Sequence, residues 1–199
     1  MVEVIVGSMF SGKTEELIRR LRRAQYARQP IQVFKPKIDD RYSDDHVASH
    51  DRTLLPSIVI TSALEIEKRL DSGTRVVGID EGQFFGDELV GVVTRLADQG
   101  VRVIIAGLDM DWKGEPFHPM PALMAVAETV DKLQAVCVVC GGSASRTQRL
   151  VRNTDTVLVG DHTAYEARCR PCYDHSLAVE SKDQAAPKRL REFAAAAEL

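Results

Sequence analysis

Val2-Glu3-Val4-Ile5-Val6-Gly7-Ser8-Met9-Phe10-Ser11-Gly12-Lys13-Thr14 decides the architecture of this chain. The apolar run over residues 2–6 reads as a strand and Glu15-Glu16-Leu17-Ile18 opens a helix. Between them, Gly7 to Thr14 fits the phosphate-binding pattern G-x-x-x-x-G-K-[ST]. Backbone N–H groups can close around phosphate oxygens only where the chain turns tightly, which is why glycines stand at positions 7 and 12. The anion then sits at a helix N-terminus. Lys13 supplies a point charge for the β and γ phosphates of ATP, and the Thr14 hydroxyl is placed to coordinate Mg²⁺. A chance glycine-rich turn is the competing explanation, and the strand before and helix after weigh against it.

Working outward from this loop, strand-like and helix-like segments alternate up to about residue 130, which predicts an α/β fold with a mostly parallel sheet. The predicted strands are 2–6, 31–35, 57–60, 75–80 and 101–106. Val76-Val77-Gly78-Ile79 and Val103-Ile104-Ile105 are apolar at consecutive positions, as expected of strands covered on both faces. Predicted helices cover 13–27, 62–72 and 87–99. Ser62-x-x-Glu65 forms a capping box for the second, with Gly73 suited to the left-handed position after it. The third presents Leu89, Val92, Val93 and Leu96 as a core face and stops at Gly100. Residues 41–51 and 108–121 read as long loops, and 180–199, charged and Ala-rich, as a frayed tail.

Arg75-Val76-Val77-Gly78-Ile79-Asp80-Glu81 ends an apolar strand on two carboxylates. Beside a phosphate loop, the first acid assists Mg²⁺ and the second can face an acceptor and take its proton, so Asp80 is assigned to the metal and Glu81 as general base. An ordinary carboxylate is too weak a base for a free alcohol. Transfer therefore depends on the acceptor oxygen turning acidic as it bonds to phosphorus.

Cys137-x-x-Cys140 and Cys169-x-x-Cys172 bracket residues 141–168. Each knuckle puts two thiolates on one side of a turn, and two knuckles complete a closed tetrahedral Zn²⁺ shell of structural type. A redox C-x-x-C explains one pair and leaves the other idle. Such a staple would support a small lobe whose apolar surface cannot hold it alone.

The 199 residues allow one main domain, and a net charge of −3 with pI near 6.0 offers no global attraction to nucleic acid or an anionic membrane. No apolar run approaches the ~18 residues needed to span a bilayer. A cytoplasmic protein with reduced thiols is expected. Arg19, Arg20, Arg22, Arg23 and Arg28 run around the first helix and read as a solvated face. The five histidines show no ligand spacing. Phe85 is assigned to the core; Trp112, Phe117 and Phe84 stay open between core and stacking on a base.

The phosphate loop, Asp80-Glu81-Gly82-Gln83-Phe84-Phe85, Leu108-Asp109-Met110-Asp111, the cysteine pairs and Tyr165-Glu166-Ala167-Arg168-Cys169-Arg170 together resemble the zinc-containing type II thymidine kinases of bacteria and the animal cytosol, over about residues 2–176. The resemblance implies transfer of the γ-phosphoryl group of ATP to the 5′-hydroxyl of thymidine, with deoxyuridine as a secondary substrate and dTTP as feedback inhibitor. It implies a homotetramer of chains built from a RecA-like domain (1–134), a zinc-binding domain carrying a lasso loop (135–177) and a tail (178–199). It places Met9, Phe84, Leu108, Trp112, Phe117 and Tyr165 around the nucleoside, with Thr147, Thr156, Leu158 and Gly160 on the lasso side. Gly7, Ser8, Met9, Phe10, Ser11, Gly12, Lys13, Thr14, Asp80 and Gln83 fall on the nucleotide side, as do Asp39, Arg41 and Arg149. Glu81 matches the family's catalytic acid. Trp112 stands where the family usually has Phe, and Asp161 and His118 each replace a common Gly. A nucleic-acid-stimulated RecA-like ATPase is the runner-up function. A zinc-ribbon binding module comes third, opposed by intact Lys13, Thr14, Asp80 and Glu81.

Overall fold

Apolar strands too continuous to face water on either side need helices above and below them, and the chain alternates accordingly. In the computed structural model, which describes residues 1–37, 46–48, 54–151 and 164–176, β1 (Val2–Gly7) runs into α1 (Lys13–Tyr26) and β2 (Ile31–Pro36). A small hairpin of β3 (His46–Ala48) and β4 (Leu54–Pro56) leads to β5 (Ile58–Ile60), α2 (Leu64–Lys68), β6 (Val76–Ile79), α3 (Glu88–Asp98) and β7 (Arg102–Gly107). Then come α4 (Met120–Val126), β8 (Thr129–Leu133), and two short antiparallel pairs: β9 (Ala135–Val136) with β10 (Ser143–Ala144), and β11 (Arg146–Arg149) with β12 (Tyr165–Arg168).

The main sheet has the order β5-β2-β6-β7-β1-β8, every neighbouring pair parallel. This is the predicted α/β architecture. Parallel strands bring all carboxyl ends to one edge, so the loops after β1, β6 and β7 meet there.

Successive residues of a strand point to opposite faces, and the core divides accordingly. Val2, Val4 and Val6, with Val77, Ile79, Val103 and Ile105, pack against Ile66 of α2, Leu89, Val92, Val93 and Leu96 of α3, and Met120 and Leu123 of α4. Ile5, Val33, Val76, Ile104 and Ala106 face Leu17, Ile18, Leu21 and Ala24 of α1. Gly78 lies on the α1 face for want of room: a Cβ there would stand 2.7 Å from Leu21 Cδ1.

Glu3 also faces α1, which explains a carboxylate inside an apolar run. Its side chain accepts from Arg20 Nη1 at 2.8 Å and from Arg102 Nε at 2.6 Å. Burial pushes the Glu3 carboxyl up, but the Arg102 and Arg20 guanidinium groups outweigh burial and hold it below its ordinary value. Arg20 reaches on to Glu16 at 2.8 Å and to Asp131 of β8 at 2.6 Å. The basic helix is therefore only partly a solvated face: Arg20 stitches α1 to the sheet, while Arg22, Arg23 and Arg28 are exposed.

Three expectations change. The second helix is only Leu64–Lys68, ending at Arg69, and at its start the capping box does not close: Glu65 bonds the N–H and hydroxyl of Thr61 at 2.9 and 2.6 Å, while Ser62 Oγ accepts from Leu64 N–H. Gly73 accordingly caps nothing and is not left-handed, whereas Gly100, at φ 84, does follow α3. Strand β8 escapes the sequence pattern since an exposed edge strand need not be apolar. Its first four residues are all exposed. The tail from residue 177, and Asp39, Arg41, Thr156, Leu158, Gly160 and Asp161, lie outside the described residues. Among the described residues no helix is long and apolar enough to cross a membrane.

Replacing Gly78 by Ala drives a methyl into Leu21 and is expected to destabilise the fold by about 1–3 kcal/mol, read as a lower urea midpoint. Combined with Leu21→Ala, the loss should be smaller than the sum of the single losses; strict additivity would contradict the contact.

Candidate active site

The loop after β1, the candidate phosphate loop, takes its shape through three positive-φ residues, Gly7 (147°), Phe10 (64°) and Gly12 (82°). Gly7 has no alternative: a Cβ would stand 2.4 Å from the Leu133 carbonyl oxygen of β8 and 2.8 Å from Ser11 Oγ. Phe10 is the surprise, since nothing in its side chain advertises a left-handed backbone. Gly12 caps α1, whose first intrahelical bond is Glu16 N–H to Gly12 C=O at 3.0 Å. Ser11 Oγ and Lys13 Nζ both donate to Ser8 C=O, at 2.8 and 2.9 Å, so the lysine charge lies folded over the loop at a helix N-terminus.

Thr14, in the first turn of α1, and Asp80, just past β6, come together: the hydroxyl stands 3.3 and 3.2 Å from the two carboxylate oxygens. A hydroxyl and a buried carboxylate side by side are the oxygen donors that Mg²⁺ favours, so these residues fit the ion assigned to them. Glu81 then departs from the strand direction at φ 52, ψ 43, with its N–H on Asp80 Oδ1 at 3.0 Å. The turn Gly82–Phe84 follows. Gln83, expected on the nucleotide side, donates from Nε2 to Glu81 Oε2 at 2.5 Å and accepts the Leu108 N–H at 2.9 Å.

Residues assigned to the nucleoside gather around the segment after β7. Phe84 and Phe117 meet edge to face with centroids 6.1 Å apart. Trp112, Ala164 and Tyr165 form a small buried cluster against Met9 and Phe10 of the phosphate loop. Arg149 joins them: its guanidinium lies 4.2 Å from the Trp112 centroid and 5.3 Å from that of Tyr165, and Nη2 donates to the Tyr165 hydroxyl at 2.7 Å. Arg149 is thus part of the aromatic wall. Trp112, the only tryptophan, is further held by its carbonyl, which accepts the Tyr173 hydroxyl at 2.5 Å. Leu108 opens this segment and is half-buried, while His118 is exposed.

Strands β11 and β12 connect this wall to the phosphate loop. Thr147 Oγ1 accepts the Met9 N–H at 3.0 Å, and Ser8 Oγ donates to Ala144 C=O at 3.3 Å. All eight residues of the pair are buried. Several of their polar side chains are paired in spite of burial: Glu166 with Arg168 inside the pair, and Gln148 Oε1 with the Asp174 N–H beyond it at 2.8 Å. Arg146-Thr147-Gln148-Arg149 offers no apolar signal, so sequence reasoning missed this strand.

The cysteines converge: the four sulfurs of Cys137, Cys140, Cys169 and Cys172 lie within 4.8 Å of one another, with Cys140 and Cys169 3.6 Å apart. Tetrahedral zinc with ~2.3 Å Zn–S bonds needs sulfurs spaced by about 3.8 Å. The set is compatible with zinc. Burial raises the Cys137 thiol, yet backbone N–H groups of Cys169, Cys140 and Val139 bring it down to about 6. Cys172 is pushed up to about 12, chiefly by its contact with Cys169. Such crowding is what a divalent cation relieves. Among the described residues no other group of three or more potential ligands assembles.

The family model described as Thymidine kinase matches residues 1–173. A curated thymidine kinase of Bdellovibrio bacteriovorus is 66% identical over 169 residues, spanning 85% of this chain and 83% of that protein. With a family model matched over most of its length and a relative identical at two positions in three, the chain belongs to the thymidine kinase family.

Proposed function

We propose that Glu81 is the general base in the reaction that family membership assigns to the chain, ATP-dependent phosphorylation of thymidine at its 5′-hydroxyl. One observation carries the role of Glu81: its carboxylate lies at the end of β6, directly after the Asp80 that meets Thr14, and is held by Gln83. That puts a fixed acceptor for a proton beside the phosphate loop.

The loop amides and Lys13 would bind the phosphates of ATP and offset the charge that spreads over the transferred group. Thr14 and Asp80 would hold Mg²⁺, which when bound supplies further neutralisation. Thymidine would lie between Phe84, Leu108, Phe117, Trp112 and Tyr165, its 5′-hydroxyl toward Glu81. Loss of the proton to Glu81 late in transfer leaves thymidine monophosphate and ADP. Deoxyuridine, lacking one methyl group, fits the same wall. A dTTP molecule carries both the base and a triphosphate and is the expected feedback inhibitor. Zinc would staple residues 135–177 as a lobe beside residues 1–134, with Thr147 on the thymidine side. A homotetramer and a cytoplasmic place, the latter supported by four free cysteines, complete the proposal. A nucleic-acid-stimulated ATPase draws less support from α1 than its arginines suggest, since Arg19 pairs with Glu16 and Arg20 is engaged by Glu16, Glu3 and Asp131, which leaves Arg22 and Arg23 exposed there.

The test is phosphoryl transfer from Mg-ATP to thymidine, deoxyuridine, deoxycytidine and deoxyguanosine, with single-stranded DNA as an ATPase control. Glu81→Gln is expected to keep ATP affinity and lose turnover by roughly 10²-fold or more; an unchanged kcat would end the base assignment. Cys140→Ser is expected to lower zinc content and thymidine affinity together, since Val138 N–H bonds Ala167 C=O of β12 at 3.1 Å and β12 backs Thr147. A stable, zinc-free variant with normal thymidine affinity would contradict the staple.

A further inference from the structure

Gln83 is 3% exposed, and both ends of its amide are engaged. Nε2 donates to Glu81 Oε2 at 2.5 Å, and Oε1 accepts the Leu108 N–H at 2.9 Å. The amide orientation follows from the partners: a carboxylate only accepts and a peptide N–H only donates, so the flipped amide would lose both bonds. The space around it is closed. A Cβ on Gly107 would stand 2.8 Å from Gln83 Oε1 and 2.7 Å from Met120 Sδ, and a Cβ on Gly82 would stand 2.9 Å from Ile105 Cγ2. Glu81 is left-handed at φ 52, a conformation costly for a residue with a side chain. Something must hold its carboxylate in one place.

We propose that Gln83 is a positioning residue that fixes the Glu81 carboxylate relative to the nucleoside wall, one amide bridging the end of β6 to Leu108, the first residue after β7. Leu108 begins the segment that carries Trp112 and Phe117. The same side chain therefore sets where the proton acceptor stands and where the thymidine-facing segment starts, so the base and the acceptor hydroxyl keep their spacing. This rests on the assignment of Glu81 as general base. Gln83 touches no reacting atom and acts through Glu81.

The experiment compares wild type, Gln83→Met, Gln83→Glu, Glu81→Gln and the double variant Glu81→Gln/Gln83→Met in steady-state transfer from Mg-ATP to thymidine, with zinc content and circular dichroism checking each fold. Gln83→Met keeps the length and removes both bonds. It is expected to lower kcat by roughly tenfold to a hundredfold, the scale of a misplaced catalytic group, with KM for ATP within about twofold of wild type. In the Glu81→Gln background the same substitution should cost almost nothing, because its effect runs through the carboxylate. Gln83→Glu keeps the acceptor for Leu108 N–H and sets an oxygen against Glu81; it reads the donor alone and should also lose kcat, including where the Met variant fails to fold. Wild-type kcat in either folded Gln83 variant, or an equal loss with and without the Glu81 carboxylate, would overturn the proposal. Full turnover by Glu81→Gln would instead remove the base assignment, and this inference with it.

Discussion

The site depends on one geometric constraint: β1 is an interior strand that turns directly into α1. Pairing with β7 on one side and β8 on the other fixes the position of Gly7, and the Leu133 carbonyl leaves no space for a side chain there. The loop must then bend back within a few residues to start a helix over the sheet, which it does through Phe10 and Gly12 at positive φ. Amide groups and the positive end of α1 point into the space above the carboxyl ends of the strands. The parallel sheet delivers Asp80 from β6 and Leu108 from β7 to the same edge. Helix packing maintains that alignment, since Leu21 presses on Gly78 two residues before Asp80.

The polar groups that hold this frame are as specific as its core. Glu3 is buried between Arg20 and Arg102, and Arg20 continues to Glu16 and Asp131, so α1, β1, β7 and β8 share one ionic network. Burying charges rarely adds net stability, but a network with most of its groups paired penalises any arrangement that separates them. Here the alternatives would be a shift of α1 along the sheet or loss of the β8 edge. Each would move the loop that ends at Thr14.

How far the sequence carried depends on what each residue's role requires. The approach of Thr14 to Asp80 is legible in the sequence, because the pattern at residues 7–14 and the acidic strand end put particular side chains at particular spacings. The cysteines were legible for the same reason, and the central strands because burial on both faces leaves a continuous apolar run. Legibility ended where a role is set by what lies opposite. The polar edge strand β8 is recruited by β1, and Arg146 to Arg149 become a buried strand only because β12 supplies their partners. The contacts of Gln83 with Glu81 and Leu108, and of Arg149 with Trp112, join residues far apart in the chain or in roles that spacing does not encode. The start of α2 shows local competition: Thr61 takes Glu65 away from the capping box.

The region beyond Leu133 poses a different physical problem. Its cluster of Ala135, Cys137, Ala144 and Ala167 is built of small residues, and such a core buries too little apolar surface to define a structure alone. Four converging thiols supply the missing constraint if they hold a cation, because a closed tetrahedral shell specifies four positions at once. The consequence extends to the phosphate loop. Cys169 follows directly on Arg168, the last residue of β12, and β12 pairs with β11, whose Thr147 accepts the Met9 N–H. With a cation bound, this small lobe would form one wall of the candidate site opposite the sheet, and the Met9–Thr147 hydrogen bond is what ties β11 to the loop after β1.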